Sequence, residues 1–346
     1  MGRSPQDNIT ISQVASRAGV SRATVSRVMN GHATVASAIA DRVRSAATAL
    51  NYRPSNIARS LSLGRTQMVS VVVPDLSNPM FQQVLRGVTQ AAGLDGYRVL
   101  VAETGENVDG EADLALEARL RCDALVLVSP RSGDATLQAL LAQVQPVVLV
   151  NRTMPCSAGD QAQASGSTVP SISVDYATAI ATIAEHLIDL GHRHLVYLCG
   201  PPNSASHRAR LEGLAVVSAR HPDVLIRQLD CGSFLGDGHR VARDVLDSQA
   251  TAALAFNDLV ALGLLAGLRE LGVAVPRQLS VTGLDDIELA AFAEPPLTTA
   301  HVPQFSLGQQ AWRSLQATIN HQPVERREPV QPELVVRGST APPPTR

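Results

Sequence analysis

The sequence predicts an all-α headpiece built on a helix-turn-helix, followed by an α/β body of two doubly wound parallel-sheet lobes. Three observations carry this. Residues 1–65 hold nine arginines and two acids, a net charge of +7, which leaves −9 on the rest of a chain whose total is −2. Within that basic segment, apolar residues recur at helical spacing on either side of a tight turn. From Met68 onward, short apolar runs alternate with helical stretches, the rhythm of a parallel sheet. A chain of 346 residues with 45% hydrophobic content suffices for two or three domains. Aromatics are only 3%, so the core is expected to be Val, Leu, Ile and Ala.

The first helix opens at Thr10-Ile11-Ser12-Gln13, the pattern of a capping box. Ile11, Val14, Ala15 and Ala18 then share a face, and Gly19 suits the left-handed turn that ends the helix. Ser21 is the expected cap of a second helix, with Val25 and Val28 inward. A third follows, with Ile39, Val43, Ala46 or Ala47, and Leu50 on one face, and Ala36 where a capping oxygen would help. The second helix is the candidate reader of a polyanion, presenting Ser21, Arg22, Ala23, Thr24, Ser26 and Arg27. Arginine can engage guanine O6 and N7 together, and alanine can meet a thymine methyl. Hydroxyls and a helix N-terminus suit phosphates. The same pattern also fits a small helical bundle with a solvated arginine face.

Pro54 breaks the third helix, Ser55 can cap another, and Gly64 can end it. A helix of about two turns does not stand alone. It needs its twin in a dimer, DNA, or both.

These residues resemble the lactose-repressor (LacI/GalR) family of bacterial regulators. The match runs through Thr10-Ile-Ser-Gln-Val-Ala15, Ala18-Gly-Val-Ser21 and Thr24-Val-Ser-Arg-Val-Met-Asn-Gly31, then Leu50-Asn-Tyr-Arg-Pro54 and Ala58-Arg-Ser-Leu61. It extends to about Ser339. The resemblance implies a homodimer or tetramer on a near-palindromic operator in double-stranded DNA. Recognition helices would lie in the major groove and hinge helices in the minor groove. It adds Thr10, Asn30, Tyr52, Asn56, Ala58 and Leu61 to the candidate DNA-binding set. It further implies a body of periplasmic-binding-protein type that senses a small molecule. The expected boundaries are 8–53 for the helix-turn-helix domain, 54–66 for the hinge, 67–339 for the body and 340–346 for a disordered tail. The chain departs from the family at Ala36, often Ser, and at Ser62, often basic.

In the body, candidate strands are Met68–Val73, Arg98–Val101, Ala124–Val128, Val147–Val150, Ser171–Val174, Leu195–Leu198, Leu225–Leu229, Ala253–Phe256 and Leu279–Thr282. Ligands of open α/β sheets sit beyond the carboxyl ends of strands. Strand ends nominate Asp75, Asn78, Phe81, Asn151, Arg152, Asp175, Asn257 and Asp285. The resemblance singles out Arg208, Asp285 and Asp175 as the effector's grip. Asn151 and Val302 stand where some members carry Asp and Gln. Plainer readings stay open: Asn78, Asn257 or Asp258 can simply cap helices, Asp286 can serve a turn, and either Arg208 or Arg210 can be a surface arginine. Opposed Arg and Asp side chains suit a polyhydroxylated ligand such as a sugar, with Phe81, Tyr176 or Phe256 as its apolar face. Purines also occur as effectors in this family. His192 and His194 are expected on the surface, and Trp312 in the core or an interface.

Other classes fit poorly. No Gly-x-Gly-x-x-Gly turn follows a strand, the chain has no lysine for a phosphate loop, and no nucleophile elbow is present. No enzyme activity, cofactor or metal is therefore expected. The cysteines Cys122, Cys156, Cys199 and Cys231 lack paired spacing and read as reduced thiols. No apolar run of about 18 residues is present to span a membrane. With the polar Met1–Thr10, this points to the cytoplasm.

Overall fold

A computed structural model describes residues 9–29, 35–52, 64–154, 169–325 and 327–344. The chain divides into two compact units, Met1–Thr66 and Gln67–Arg346. The hinge segment 54–63 and the candidates Asn30, Asn56, Ala58 and Leu61 lie outside the described residues.

In the first unit, α1 (Ile11–Ala18), α2 (Arg22–Met29) and α3 (Ser37–Ala49) pack around Val14, Val25 and Val43, each fully buried. Gln13 reaches back from the first turn of α1 to accept the Thr10 N–H at 2.7 Å. Gly19 adopts φ +65°, and the Val20 N–H returns to the Ala15 carbonyl at 3.0 Å, which closes the helix end. Ala36 caps α3 without a side-chain bond, as its chemistry requires. Ala40 is buried where Ile39 was expected, and Ile39 and Leu50 are half-buried. The inward stripe of α3 is therefore Ala40, Val43, Ala46 and Ala47, as expected except that Ala40 takes the place of Ile39.

The second unit runs β1 (Met68–Val73), α4 (Pro79–Leu94), β2 (Arg98–Glu103), α5 (Val108–Arg121), β3 (Ala124–Val128), α6 (Asp134–Gln143), β4 (Val147–Val150) and β5 (Ser171–Ile172). It continues through α7 (Tyr176–Asp189), β6 (His194–Cys199), α8 (Ala205–Arg220), β7 (Leu225–Asp230), α9 (Leu235–Arg240), α10 (Ala242–Asp247), β8 (Ala252–Leu254) and α11 (Asp258–Glu270). Last come β9 (Ser280–Thr282), α12 (Glu288–Ala291), β10 (Thr299–His301), α13 (Gln304–Ile319) and β11 (Glu333–Val335). Two parallel sheets result, ordered β2-β1-β3-β4-β5 and β7-β6-β8-β9. The central strands β3 and β4 are buried at every residue, because helices cover both faces. The edge strands β2 and β7 keep exposed residues. All nine expected strands are present; the antiparallel pair β10–β11 was not anticipated, being three residues on each side.

The chain returns to the first lobe through α13, which lies against α4. A Cβ on Gly87 would stand 2.1 Å from the Phe305 carbonyl oxygen, and one on Gly308 2.1 Å from that of Val84, so both glycines let the backbones touch. Trp312 is 1% exposed and donates Nε1 to Asp95 at 2.6 Å, a core residue with its polar edge satisfied. One apolar cluster runs from Val71 and Val126 through Leu307 and Trp312 to Tyr176, Ile180 and Tyr197, so it joins both lobes.

Two expectations need correction. The segment from 340 is ordered through Ala341, which donates its N–H to Ser280 Oγ at 3.1 Å. Just before it, the Val281 N–H reaches the Ser339 carbonyl at 2.9 Å. The cause is β9, an edge strand whose free backbone groups the tail covers. His192 is likewise buried rather than superficial; it bonds Thr251 Oγ1 at 2.8 Å and the Ala341 carbonyl at 2.9 Å, and burial holds its pKa below the usual value.

Candidate nucleic-acid interface and ligand cleft

Ser21 anchors the start of α2: its Oγ accepts the Thr24 N–H at 3.1 Å and lies 2.9 Å from Thr24 Oγ1. Val25 and Val28 are buried, which sets the rotation of the helix. Ser21, Arg22, Ala23 and Arg27 are thereby exposed, while Thr24 and Ser26 are half-buried. Thr10 is exposed at the α1 cap. Tyr52 is half-buried against the headpiece core, and burial raises its phenol pKa.

In the second unit, strand ends converge on one cleft. Seven sequence candidates line it: Asp75, Asn78, Phe81, Tyr176, Phe256, Asn257 and Asp285. Three of them also serve local structure. Asp75 accepts from the Ser77 N–H and hydroxyl, at 2.7 and 2.9 Å. Asn78 caps α4 through the Met80 N–H at 2.9 Å. Asn257 caps α11 through the Val260 N–H at 2.9 Å and donates Nδ2 to the Ser233 carbonyl at 3.0 Å.

Arg208, the expected grip, is exposed and does not line the cleft; Arg210 does, at 2% exposure. Residues two apart on a helix point to opposite sides. Arg210 falls on the inward stripe of α8 with His207, Gly213, Leu214 and Val217. Extending the periodicity count through α8 would have found it. Its guanidinium lies over the Tyr176 ring at 4.3 Å and the Phe256 ring at 4.4 Å, and Nη1 donates to the Ser206 carbonyl at 2.9 Å. Asp175 caps α7 instead of lining the cleft, accepting the Thr178 N–H at 2.9 Å and Gln331 Nε2 at 3.1 Å. Asn151 and Arg152 are buried beside the cleft without lining it.

Glu106 and Arg131 were missed, although both lie just beyond strand ends, after β2 and β3. Arg131 donates Nε and Nη2 to the two Glu106 carboxylate oxygens at 2.6 and 2.8 Å, and Nη1 to the Ser129 carbonyl at 3.1 Å. Its charge is thus already committed. Glu106, Ser129, Asn151, Asp285 and Asp286 all have positive φ, from +47° to +116°. Such conformations cost of order 1–3 kcal/mol each and persist only where packing holds them.

Asp285 is 3% exposed at φ +116°, and its Oδ1 has no partner. Burial pushes its pKa up to about 8; Arg210 lowers it and Asp258 raises it. Asp258 accepts the Ile287 N–H at 2.8 Å and the Thr299 hydroxyl at 2.6 Å, and burial raises its pKa to about 6. Asp286 is held by Arg337 at 2.6 Å and His301 at 3.0 Å. In the unfolded chain Asp285 titrates near the ordinary value, about 4. Between about 4 and about 8 the folded state therefore carries the extra proton, and stability falls as pH rises through that window. The thermal midpoint of the wild type should drop relative to Asp285→Asn from pH ~4 to pH ~8. Parallel pH profiles for the two proteins would show that Asp285 titrates normally.

Residues 10–55 match the family described as bacterial regulatory proteins, lacI family, and residues 184–340 the periplasmic binding protein-like domain. The HTH-type transcriptional repressor PurR of Photobacterium profundum is 32% identical over 340 residues, 95% of this chain and 98% of its own. The crystal structure of the lac repressor dimer bound to operator and the anti-inducer ONPF superposes with a TM-score of 0.85 at 26% identity, covering 97% of this chain and 100% of that one. The transcriptional regulator CelR in complex with cellobiose gives a TM-score of 0.66 at 27% identity, covering 96% and 99%.

Proposed function

This chain belongs to the lacI family of DNA-binding transcription regulators, and from that premise we propose that it represses transcription as a homodimer on a near-palindromic operator, under the control of a sugar. Residues 8–53 read DNA, 54–66 connect, and the body from 67 senses the ligand and dimerises. Its place of action is the cytoplasm, where the DNA is. Leu289 and Phe292, 54% and 80% exposed, support an apolar dimer surface on the body.

The observation that carries the sugar reading is the pair of unused polar atoms in the central pocket. Arg210 Nε is a buried donor without a partner, and Asp285 Oδ1 is the corresponding acceptor. A hydroxyl-bearing ring supplies both an acceptor and a donor, and the buried Tyr176 and Phe256 rings hold the Arg210 guanidinium in place for it. Arg131 is paired with Glu106, which leaves Arg210 as the pocket's cation without an ion-pair partner among the described residues, free to donate to a ring hydroxyl. The similar regulator CelR, whose structure is a complex with cellobiose, supports this reading.

Selection from random duplexes by the full chain tests the first half. A palindromic motif should be enriched, and at least one neutral mono- or disaccharide should change affinity for it more than about tenfold, a coupling of about 1.4 kcal/mol. A pool with no enriched motif would remove the operator reading. Operator affinity indifferent to every sugar would remove the effector reading.

A further inference from the structure

Nine buried side-chain polar atoms among the described residues lack a hydrogen-bond partner, and five of them sit together: Ser132 Oγ, both amide atoms of Asn151, and Nε and Nη1 of Arg152. These residues are 1%, 6% and 2% exposed. Unmet buried donors cost free energy, so such a cluster is rare without a function. They belong to the ends of β3 and β4, next to Ser129 and Arg131 of the central pocket.

We propose that Ser132, Asn151 and Arg152, with Arg208 of the second lobe, form a second subsite beside the central pocket that takes an anionic substituent of the effector, a carboxylate or a phosphate. The proposal rests on the reading that the pocket holds a sugar ring. Arg152 keeps one acid, through Nη2 to Asp134 Oδ1 at 2.6 Å, and shares Nη2 with the Ser132 carbonyl at 3.1 Å. Nε and Nη1 remain to donate. Glu111 is already engaged by the N–H groups of Arg131 and Ser132, at 2.7 and 3.0 Å. Arg208 is exposed, has no ion-pair partner among the described residues, and is near enough for its charge to disfavour the Arg152 cation. Burial chiefly disfavours the Arg152 cation, Asp134 and Glu111 favour it and Arg208 opposes it, so a bound anion meeting the unused donors would stabilise both arginines. The central pocket differs in kind, since its Arg131 is bound bidentately by Glu106. Beside its Asp134 pair, Arg152 thus keeps Nε and Nη1 free, donors that suit an anionic substituent.

The test uses the full chain and two simple probes, inorganic phosphate and acetate, against sodium chloride at matched ionic strength. Thermal midpoints are followed in the wild type, Arg152→Gln and Arg208→Gln. Arg152 is buried and its variant can lose stability; Arg208 is exposed, so Arg208→Gln keeps the comparison sound. At least one anion should stabilise the wild type with a saturable dose-response, and its apparent Kd should rise at least tenfold in Arg208→Gln. A response to phosphate alone assigns a phosphorylated sugar; a response to acetate alone, a sugar acid. No stabilisation by either anion, or equal stabilisation of all three proteins, overturns the subsite. If both anions fail while a neutral sugar still shifts operator affinity, the sugar reading stands and only the subsite falls.

Discussion

Arg210→Ala should abolish the response to a neutral sugar while the protein still binds operator in one state. Arg210 is nearly fully buried, stacked by Tyr176 and Phe256, and holds an unused donor toward the pocket. A charge-assisted hydrogen bond to the ligand contributes about 1.5–3 kcal/mol. Losing about 1.5–3 kcal/mol weakens binding by roughly 10-fold to 150-fold. The fold should survive, because the Asp285 carboxyl opposite already takes up a proton near pH 8 and stays neutral once the arginine is gone. Arg210→Lys should fail as well, since an ammonium cannot stack flat between two rings. Arg208→Ala, altering an exposed side chain, should leave neutral-sugar binding within about threefold, in keeping with the small effects of surface changes. Isothermal titration of all three variants decides the matter. Full affinity in Arg210→Ala would place the ligand elsewhere.

The second large effect is on operator choice. Replacing Arg22 and Ala23 together, as Arg22→Gln with Ala23→Ser, should change the preferred half-site, with about 1–3 kcal/mol at stake for a good bidentate contact. Both side chains are exposed and make no core contact, so headpiece stability should hold to within about 0.5 kcal/mol. Arg27→Ala, by contrast, should weaken all duplexes alike and reduce the salt slope by about one, as loss of a phosphate contact does. Recovery of an unchanged motif by the double variant in binding-site selection would refute the assignment.

Periodicity made the headpiece readable because its few determinants are local. Gln13 lies three residues from the cap it completes, Gly19 alone accepts its left-handed turn, and Val25 and Val28 orient α2 by themselves. The same holds for the buried strands: Ala124–Val128 and Val147–Val150 are unbroken apolar runs, and both appear with the expected bounds. Short pairings such as β10–β11 carry too few residues for a period to show.

The sequence by itself determined the two-unit plan, the helices of the headpiece with the exposed face of α2, the alternation of strands and helices, and seven residues of the cleft, since each depends on neighbours within a few positions. Tertiary structure alone decided which side chains of one loop or helix turn inward. It chose Arg210 over Arg208 by the packing of α8, matched Glu106 to Arg131 across 25 residues, and drew the tail along β9. It also left Arg152 buried with donors to spare, while Asp175, chosen on the same grounds, became a helix cap. The physical reason is common to all of these. Burial and pairing of charge are set by atoms distant in sequence, and a local pattern carries no record of them until the sheets are stacked.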